Sequence, residues 1–290
     1  MFFKIILSVC FYFIAIIPAY ATPLIISHRG GSQNFPENTL LSFSESLKIG
    51  CEALELDVQV TLDGVVVVYH PDDLKKWTNG SGSISSHNWN ELSNLDAAYN
   101  YKSEENFPFR AQNLHIPKLE EVLHSFPNTL IIIDLKSLPP KTLVQALIQT
   151  ISEEESKRLI FYSTNSEHIE LLNLYKPQWK TFEKRDLTRQ RLLDLHQKGQ
   201  TEIPLTSSPI GFELKRNMTV TETFALGEGV SSLEFHLWTP QTISYLKKCD
   251  PDIFLVLFGI NTESEWEEAV YLDVDAIYTD NPCKIIKIKK

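Results

Sequence analysis

From residue 128 to residue 280 the chain alternates between short apolar, β-prone runs and longer segments with helical periodicity. NTLIIIDLK (128–136) precedes KTLVQALIQTISEEES (141–156), RLIFYS (158–163) precedes EHIELLNLY (167–175), and WKTFEK (179–184) precedes TRQRLLDLHQKG (188–199). SSLEFH (231–236), IFLVLFGI (253–260) and DAIYTD (275–280) continue the series, separated by PQTISYLKKC (240–249) and ESEWEEAVYL (263–272). Strands that are apolar along most of their length must be covered on both faces, which helices packed on a parallel sheet achieve. With LIIS (24–27) and ALELDVQV (53–60) in front, about eight such units predict a closed (β/α)₈ barrel, a TIM barrel, rather than an open sheet. Residues 200–230 show no period and receive no element. No G-x-G-x-x-G or G-x-x-x-x-G-K-[ST] motif occurs, which weakens a nucleotide-binding reading.

The second strand is unusual for a buried element because it carries Glu55 and Asp57. Residues two apart on a strand point to the same side. Asp63-Gly64 is a hairpin signal, and VVVVY (65–69) returns the chain to His70. A two-residue turn there pairs Leu62 with Val65 and sets Asp57 opposite His70, with Cβ atoms about 4.5–5.5 Å apart. ALELDV taken alone also reads as a half-exposed strand. The combination favours a site, because His28 and Arg29 follow the first strand, two acids lie in the second, and a histidine ends the return arm. Barrel sites gather at the C-terminal ends of the strands, where His28, Asp134, Lys136, Asn261 and Asp280 also fall. Residues 71–117, rich in Asn, Ser and Gly with scattered aromatics, form an insertion of short helices and loops after the hairpin.

Glu55, Asp57 and a third acid such as Asp134 make an all-oxygen set suited to one divalent cation, Mg²⁺ or Ca²⁺. Zinc would favour nitrogen and sulfur donors. Two histidines beside such a cation suit acid–base catalysis near neutral pH. Arg29 and Lys136 supply charge suited to a phosphate, the first as a planar fork and the second as a point charge. A cation, two bases and two fixed positive charges describe phosphoryl transfer.

The first 21 residues carry one charge, Lys4, then an apolar run and Ala19-Tyr20-Ala21, the pattern of a secretory signal peptide. Cleavage after Ala21 leaves residues 22–290, exported to the periplasm or beyond, with no further segment apolar for long enough to hold it in a membrane. It also removes Lys4, taking the formal net charge from −10 to −11, a poor balance for binding nucleic acid. Cys51, Cys249 and Cys283 are too few and too scattered for a disulfide framework or a zinc site. An exported chain would permit one bridge, Cys249–Cys283.

With these residues in view the sequence resembles the glycerophosphodiester phosphodiesterases. The matching stretches are ISHRGGSQNFPENTLLSF (26–43), ALELDVQVTLDGVVVVYH (53–70), WTNGSG (77–82), IPKLEEVL (116–123), IIIDLK (131–136) and DAIYTDNP (275–282), in family order. The resemblance implies a (β/α)₈ barrel, a bound divalent cation, and hydrolysis of a small glycerophosphodiester to sn-glycerol 3-phosphate and an alcohol. It assigns His28 and His70 as the catalytic pair, Arg29 as a phosphate ligand, and Glu55 and Asp57 as metal ligands. Glu37, in the PENT segment, is read equally as a substrate contact and as a structural residue of the loop. Three departures stand out: Asp134 where the family usually has Glu, Pro71 where it has Asp after the second histidine, and Phe258-Gly259-Ile260-Asn261 where it has Trp-Thr-x-Asn. Asp72 or Asp73 is a candidate replacement for the lost acid, and Phe258 keeps an apolar wall for the substrate. Related barrels cleave intact lysophospholipids, and a barrel kept only as a binding module is a third reading.

These assignments separate experimentally. Asp57→Asn should weaken cation binding by removing a charged ligand. His70→Ala should leave cation affinity near that of the unaltered protein while lowering kcat about 10²–10⁴-fold. Calorimetric cation titrations of both variants report the difference, and loss of cation binding in His70→Ala would make His70 a ligand instead.

Overall fold

In the computed structural model, which describes residues 22–206 and 208–290, eight parallel strands curl into a barrel. In chain order the strands of the molecule are β1 (Leu24–Ser27), β2 (Ala53–Val60), β3 (Val66–Val68), β4 (Leu130–Leu135), β5 (Leu159–Tyr162), β6 (Lys180–Thr181), β7 (Ile210–Glu213), β8 (Arg216–Phe224), β9 (Gly227–Phe235), β10 (Leu255–Phe258) and β11 (Ala276–Thr279). The sheet runs β6-β5-β4-β2-β1-β11-β10-β7, with β3 added antiparallel to β2. Its two ends meet where the Glu183 N–H donates to Pro209 C=O at 2.9 Å. Residues 1–21, and with them the proposed leader, lie outside the described residues. No helix among the described residues is long and apolar enough to cross a membrane.

The alternation in the sequence has a direct packing cause. Ile26, Ala53, Ile132, Ile160, Phe182 and Val256 fill the barrel interior. The intervening strand positions face outward into two larger clusters beneath the helices, one around Phe212, Leu255, Leu257 and Ile277, the other around Leu54, Leu56, Ile131 and Ile133. Every residue of β2 is buried, so the half-exposed reading of ALELDV does not hold. Apolar side chains buried to this degree each contribute about 1.5–3 kcal/mol.

Two elements differ from the sequence reading. SSLEFH is a strand but not a barrel strand: it belongs to β9, which pairs along its whole length with β8 in a solvent-exposed ribbon whose tip residue Leu226 is fully exposed. The seventh barrel strand is IGFE (210–213) instead. Gly211 breaks its apolar pattern for a packing reason, since a Cβ there would lie 2.5 Å from the Phe258 ring and 2.9 Å from Phe182. The hairpin is also one residue longer than a two-residue turn. Val58 pairs with Val68 and Val60 with Val66, and Thr61 N–H donates to Val65 C=O at 3.0 Å around Leu62, Asp63 and a left-handed Gly64 (φ 84°). Asp57 therefore lies opposite Tyr69, whose N–H donates to the Asp57 C=O at 3.0 Å, and not opposite His70.

Cys51, Cys249 and Cys283 are all free. A Cys249–Cys283 bridge is excluded by topology: Cys249 ends the helix Pro240–Cys249 at the base of the barrel, and Cys283 begins the helix Pro282–Lys289 at its top. The insertion packs its short helical turns on a separate apolar cluster built from Tyr69, Leu74, Ile84, Leu92 and Ile116.

Near the barrel's closure, Arg191 on the helix Arg185–Lys198 is buried against Glu183 and also donates to the carbonyls of Ile203 (2.7 Å) and Pro204 (3.1 Å). Glu183→Ala should destabilise the fold by about 3–5 kcal/mol in denaturant unfolding, because it strands a buried guanidinium. Replacing Glu183 and Arg191 together with leucine should cost less than the single change.

Candidate active site

Strand register explains why the polar residues converge. Ser27 pairs with Leu54 on one side and Thr279 on the other, which sets His28 beside Glu55 and Asp280. Asp57 pairs with Asp134 on β4, so these carboxylates lie level, and Glu55 reaches up from about 6.6 Å lower on the same face. One oxygen from each of Glu55, Asp57 and Asp134 lies within 4.8 Å of the others, and all three residues are buried.

The cations nearest this cluster come from the turn after β1 and the end of β4. Arg29 takes a left-handed backbone conformation (φ 53°) that aims its N–H at Glu55 Oε2 (2.9 Å), while its Nε lies 3.1 Å from Asp57 Oδ2. Lys136 Nζ sits 2.6 Å from Asp134 Oδ2 and 3.2 Å from Asp57 Oδ1. Asn38 clamps Asp57 from behind, donating to Oδ2 (2.9 Å) and accepting from the Asp57 N–H (3.2 Å). Glu37 completes the ring, 3.6 Å from Arg29 Nη1 and 3.8 Å from His70 Nδ1.

The two histidines have opposite electrostatic surroundings. Burial works to lower the His28 pKa, but the Glu55 charge and the 2.6 Å bond from Nδ1 to Asp280 Oδ1 overcome it, leaving the imidazole above its ordinary value. Burial dominates at His70 and depresses it to about 4. Its position is fixed by Gln59, whose amide donates to the carbonyls of Tyr69, His70 and Pro71. Burial and the neighbouring Asp57 lift Glu55 to about 8. Burial likewise lifts Asp134 to about 6 against the pull of Lys136, whereas at Asp57 the charges of Lys136 and Arg29 outweigh burial and keep the carboxyl below its usual range.

These residues fit a hard divalent cation. Asp134 Oδ1 is buried without a hydrogen-bond partner, Asp57 Oδ1 is approached only by the Lys136 charge, and three carboxylate oxygens at this spacing are the donor set such an ion takes. The shorter Asp134 side chain still reaches the cluster.

Phe258 stacks on Tyr278 at 4.3 Å and meets Tyr162 edge-on at 5.5 Å, forming one wall of a cavity of about 270 Å³ that opens onto Glu55, Asp134 and Lys136. Asp73 does not stand in for an acid after His70, because its Oδ1 accepts from the N–H groups of Lys75 and Gly82. Asp280, placed by the sequence at the site end of its strand but given no role, is the partner of His28, and the structure adds Asn38 and, on the cavity wall, Tyr278, Tyr162, Arg185 and Glu213. Asp280 and Asn38 had a signal, the first as a polar strand end and the second as the neighbour of Glu37. Glu213 lay in the stretch without periodicity.

The model of the glycerophosphoryl diester phosphodiesterase family matches residues 28–284. The chain belongs to this family. An uncharacterised protein of Mycobacterium tuberculosis is 33% identical over 265 residues, covering 90% of this chain and 87% of its own length. The crystal structure of that protein's glycerophosphoryl diester phosphodiesterase domain superposes with a TM-score of 0.83 at 31% identity, covering 93% of this chain and all of the domain. A phosphodiesterase of Oleispira antarctica, solved with the product sn-glycerol 3-phosphate, shares the fold, with a TM-score of 0.65 at 23% identity over 92% of this chain and 97% of its own. The (β/α)₈ barrel expected from the alternation is thus the family's fold, and the chain is a phosphodiesterase by class.

The Asp280 contact gives a direct test of the site's electrostatics. Asp280→Asn keeps the shape but removes the charge that favours the imidazolium, while burial still penalises it. The His28 pKa should therefore fall, and an NMR titration of its ring resonances reads the shift. An unchanged or higher value would mean that Asp280 does not set it.

Proposed function

We propose that this phosphodiesterase hydrolyses glycerophosphodiesters to sn-glycerol 3-phosphate and an alcohol, with a divalent cation held by Glu55, Asp57 and Asp134. The observation that carries the reading is the meeting of three buried acids with two cations and two histidines of opposite bias at one barrel mouth. Arg29 and Lys136 flank the carboxylates where phosphoryl oxygens would sit, the first able to donate as a fork. The bound cation would neutralise charge on those oxygens.

The surroundings of the histidines suggest their division of labour. His70, neutral above about pH 4, is suited to take the proton of the attacking oxygen, from water or from the glycerol 2-hydroxyl. His28, held toward its protonated form with Nδ1 engaged by Asp280, is suited to deliver a proton from Nε2 to the departing alcohol. Glu37, close to both Arg29 and His70, positions these two groups. The A-x-A sequence at 19–21 supports export of the chain before it acts.

Release of sn-glycerol 3-phosphate from a panel of glycerophosphodiesters, in the presence of Mg²⁺, Ca²⁺ or Mn²⁺ in turn, tests the reading. Turnover should stop on chelation and return when cation is restored. Absence of product with every ion would overturn the proposal.

A further inference from the structure

The cavity beside the acids extends past the groups that a phosphoryl centre requires. Its far wall is a charged pair, Arg185 and Glu213. Arg185, at the start of its helix, is buried; Nη2 forks onto both Glu213 oxygens (2.6 and 2.8 Å), and Nη1 donates to Tyr162 Oη (2.7 Å). Tyr162 lies level with Asp134 across the β4–β5 pairing and bridges from the acids to the pair, which stands further round the barrel, after β6 and at the end of β7. Beside it the wall is bare backbone at Gly259, where an added Cβ would meet no heavy atom within 4 Å.

The chemistry of this end is specific. Arg216 Nη1 approaches Glu213 Oε2 at 3.6 Å, and the Phe212 ring carries both guanidiniums, at 4.5 and 5.6 Å. On the cavity wall the Glu213 carboxylate is already paired with Arg185, so this end offers donors and an acceptor side by side, which a quaternary ammonium group, having no N–H to donate, cannot use. A neutral polyol meets what it needs. Glu213 is about one-third exposed and keeps acceptor capacity beyond the fork, since a carboxylate offers about four lone-pair sites. Arg185 could donate to a hydroxyl oxygen through an N–H not already bonded, and Phe258 and Tyr162 would cover the carbon skeleton. His28 lines this cavity and His70 does not, and with Nδ1 bonded to Asp280 at 2.6 Å its free Nε2 is the nitrogen that can serve an oxygen seated toward Arg185 and Glu213.

We propose that Arg185 and Glu213 form the subsite for the leaving alcohol and select alcohols with vicinal hydroxyls, glycerol or a cyclitol, over choline. The proposal rests on the hydrolytic reading of the site. The expected result is a kcat/KM for glycerophosphoglycerol and glycerophosphoinositol at least tenfold above that for glycerophosphocholine. Glu213→Gln should compress that ratio toward one. An equal fall on all three esters would mark Glu213 as structural or as a contact to the shared glycerol half, and a choline preference in the unaltered protein would contradict the hydrogen-bonding argument; either overturns the subsite. The preference of the unaltered protein needs no variant to fold. If no ester is turned over, the hydrolytic reading fails separately. Calorimetric binding of the same esters with cation chelated then decides the subsite: at least tenfold tighter binding of the polyol esters supports it, and equal affinity refutes it.

Discussion

Three carboxylates buried within one small space repel one another, and the surrounding structure is arranged around that repulsion. Arg29 and Lys136 bring two positive charges against three negative ones, and both are held by the elements that carry the acids' neighbours, the turn after β1 and the end of β4. Glu55, lifted to about 8, is where the remaining imbalance shows. A carboxyl raised that far takes up a cation in competition with its proton, so metal binding at such a site is coupled to proton release. The buried cluster is costly to the fold and useful to the chemistry for the same reason: no water screens its charges.

How much of this was legible in the sequence depended on whether a residue's role was local. The acids of β2 could be placed because a strand's two-residue period sets Glu55 and Asp57 on one face whatever the fold. Asp134 followed from the level at which parallel strands end. The pairing of Asp57 was misread by one residue, because Asp-Gly fits a tight two-residue turn and equally a loop with one more residue before a left-handed glycine. His70 still reaches the site, carried there by Gln59's grip on the carbonyls beyond the strand. Strand β7 left no apolar signature because Gly211 makes room for Phe258, a partner 47 positions away that no local window contains. Arg185 and Glu213 were hidden similarly: each looks like an ordinary charged residue until the barrel brings them to one wall.

The departures from the family pattern are accommodated within the pocket. Phe258 gains a stacked partner in Tyr278, whose hydroxyl is buried without a hydrogen-bond partner and close enough to feel the acids. Gly259 leaves a gap beside them, and Pro71 ends the return arm while Asp73 is occupied in capping the next turn.

Among the described residues, the barrel's two outermost strands are joined by one backbone bond, from Glu183 to Pro209, next to a β6 of only two residues. A cylinder with one weak seam does not breathe evenly. Amides along β6 and β7 should exchange with solvent through small openings there, while β1, β2 and β4, deep in the ladder, exchange only when the whole domain unfolds. The acids sit on the far side of the barrel from that seam, on strands paired on both sides, so an opening at the seam leaves the geometry of the carboxylates undisturbed.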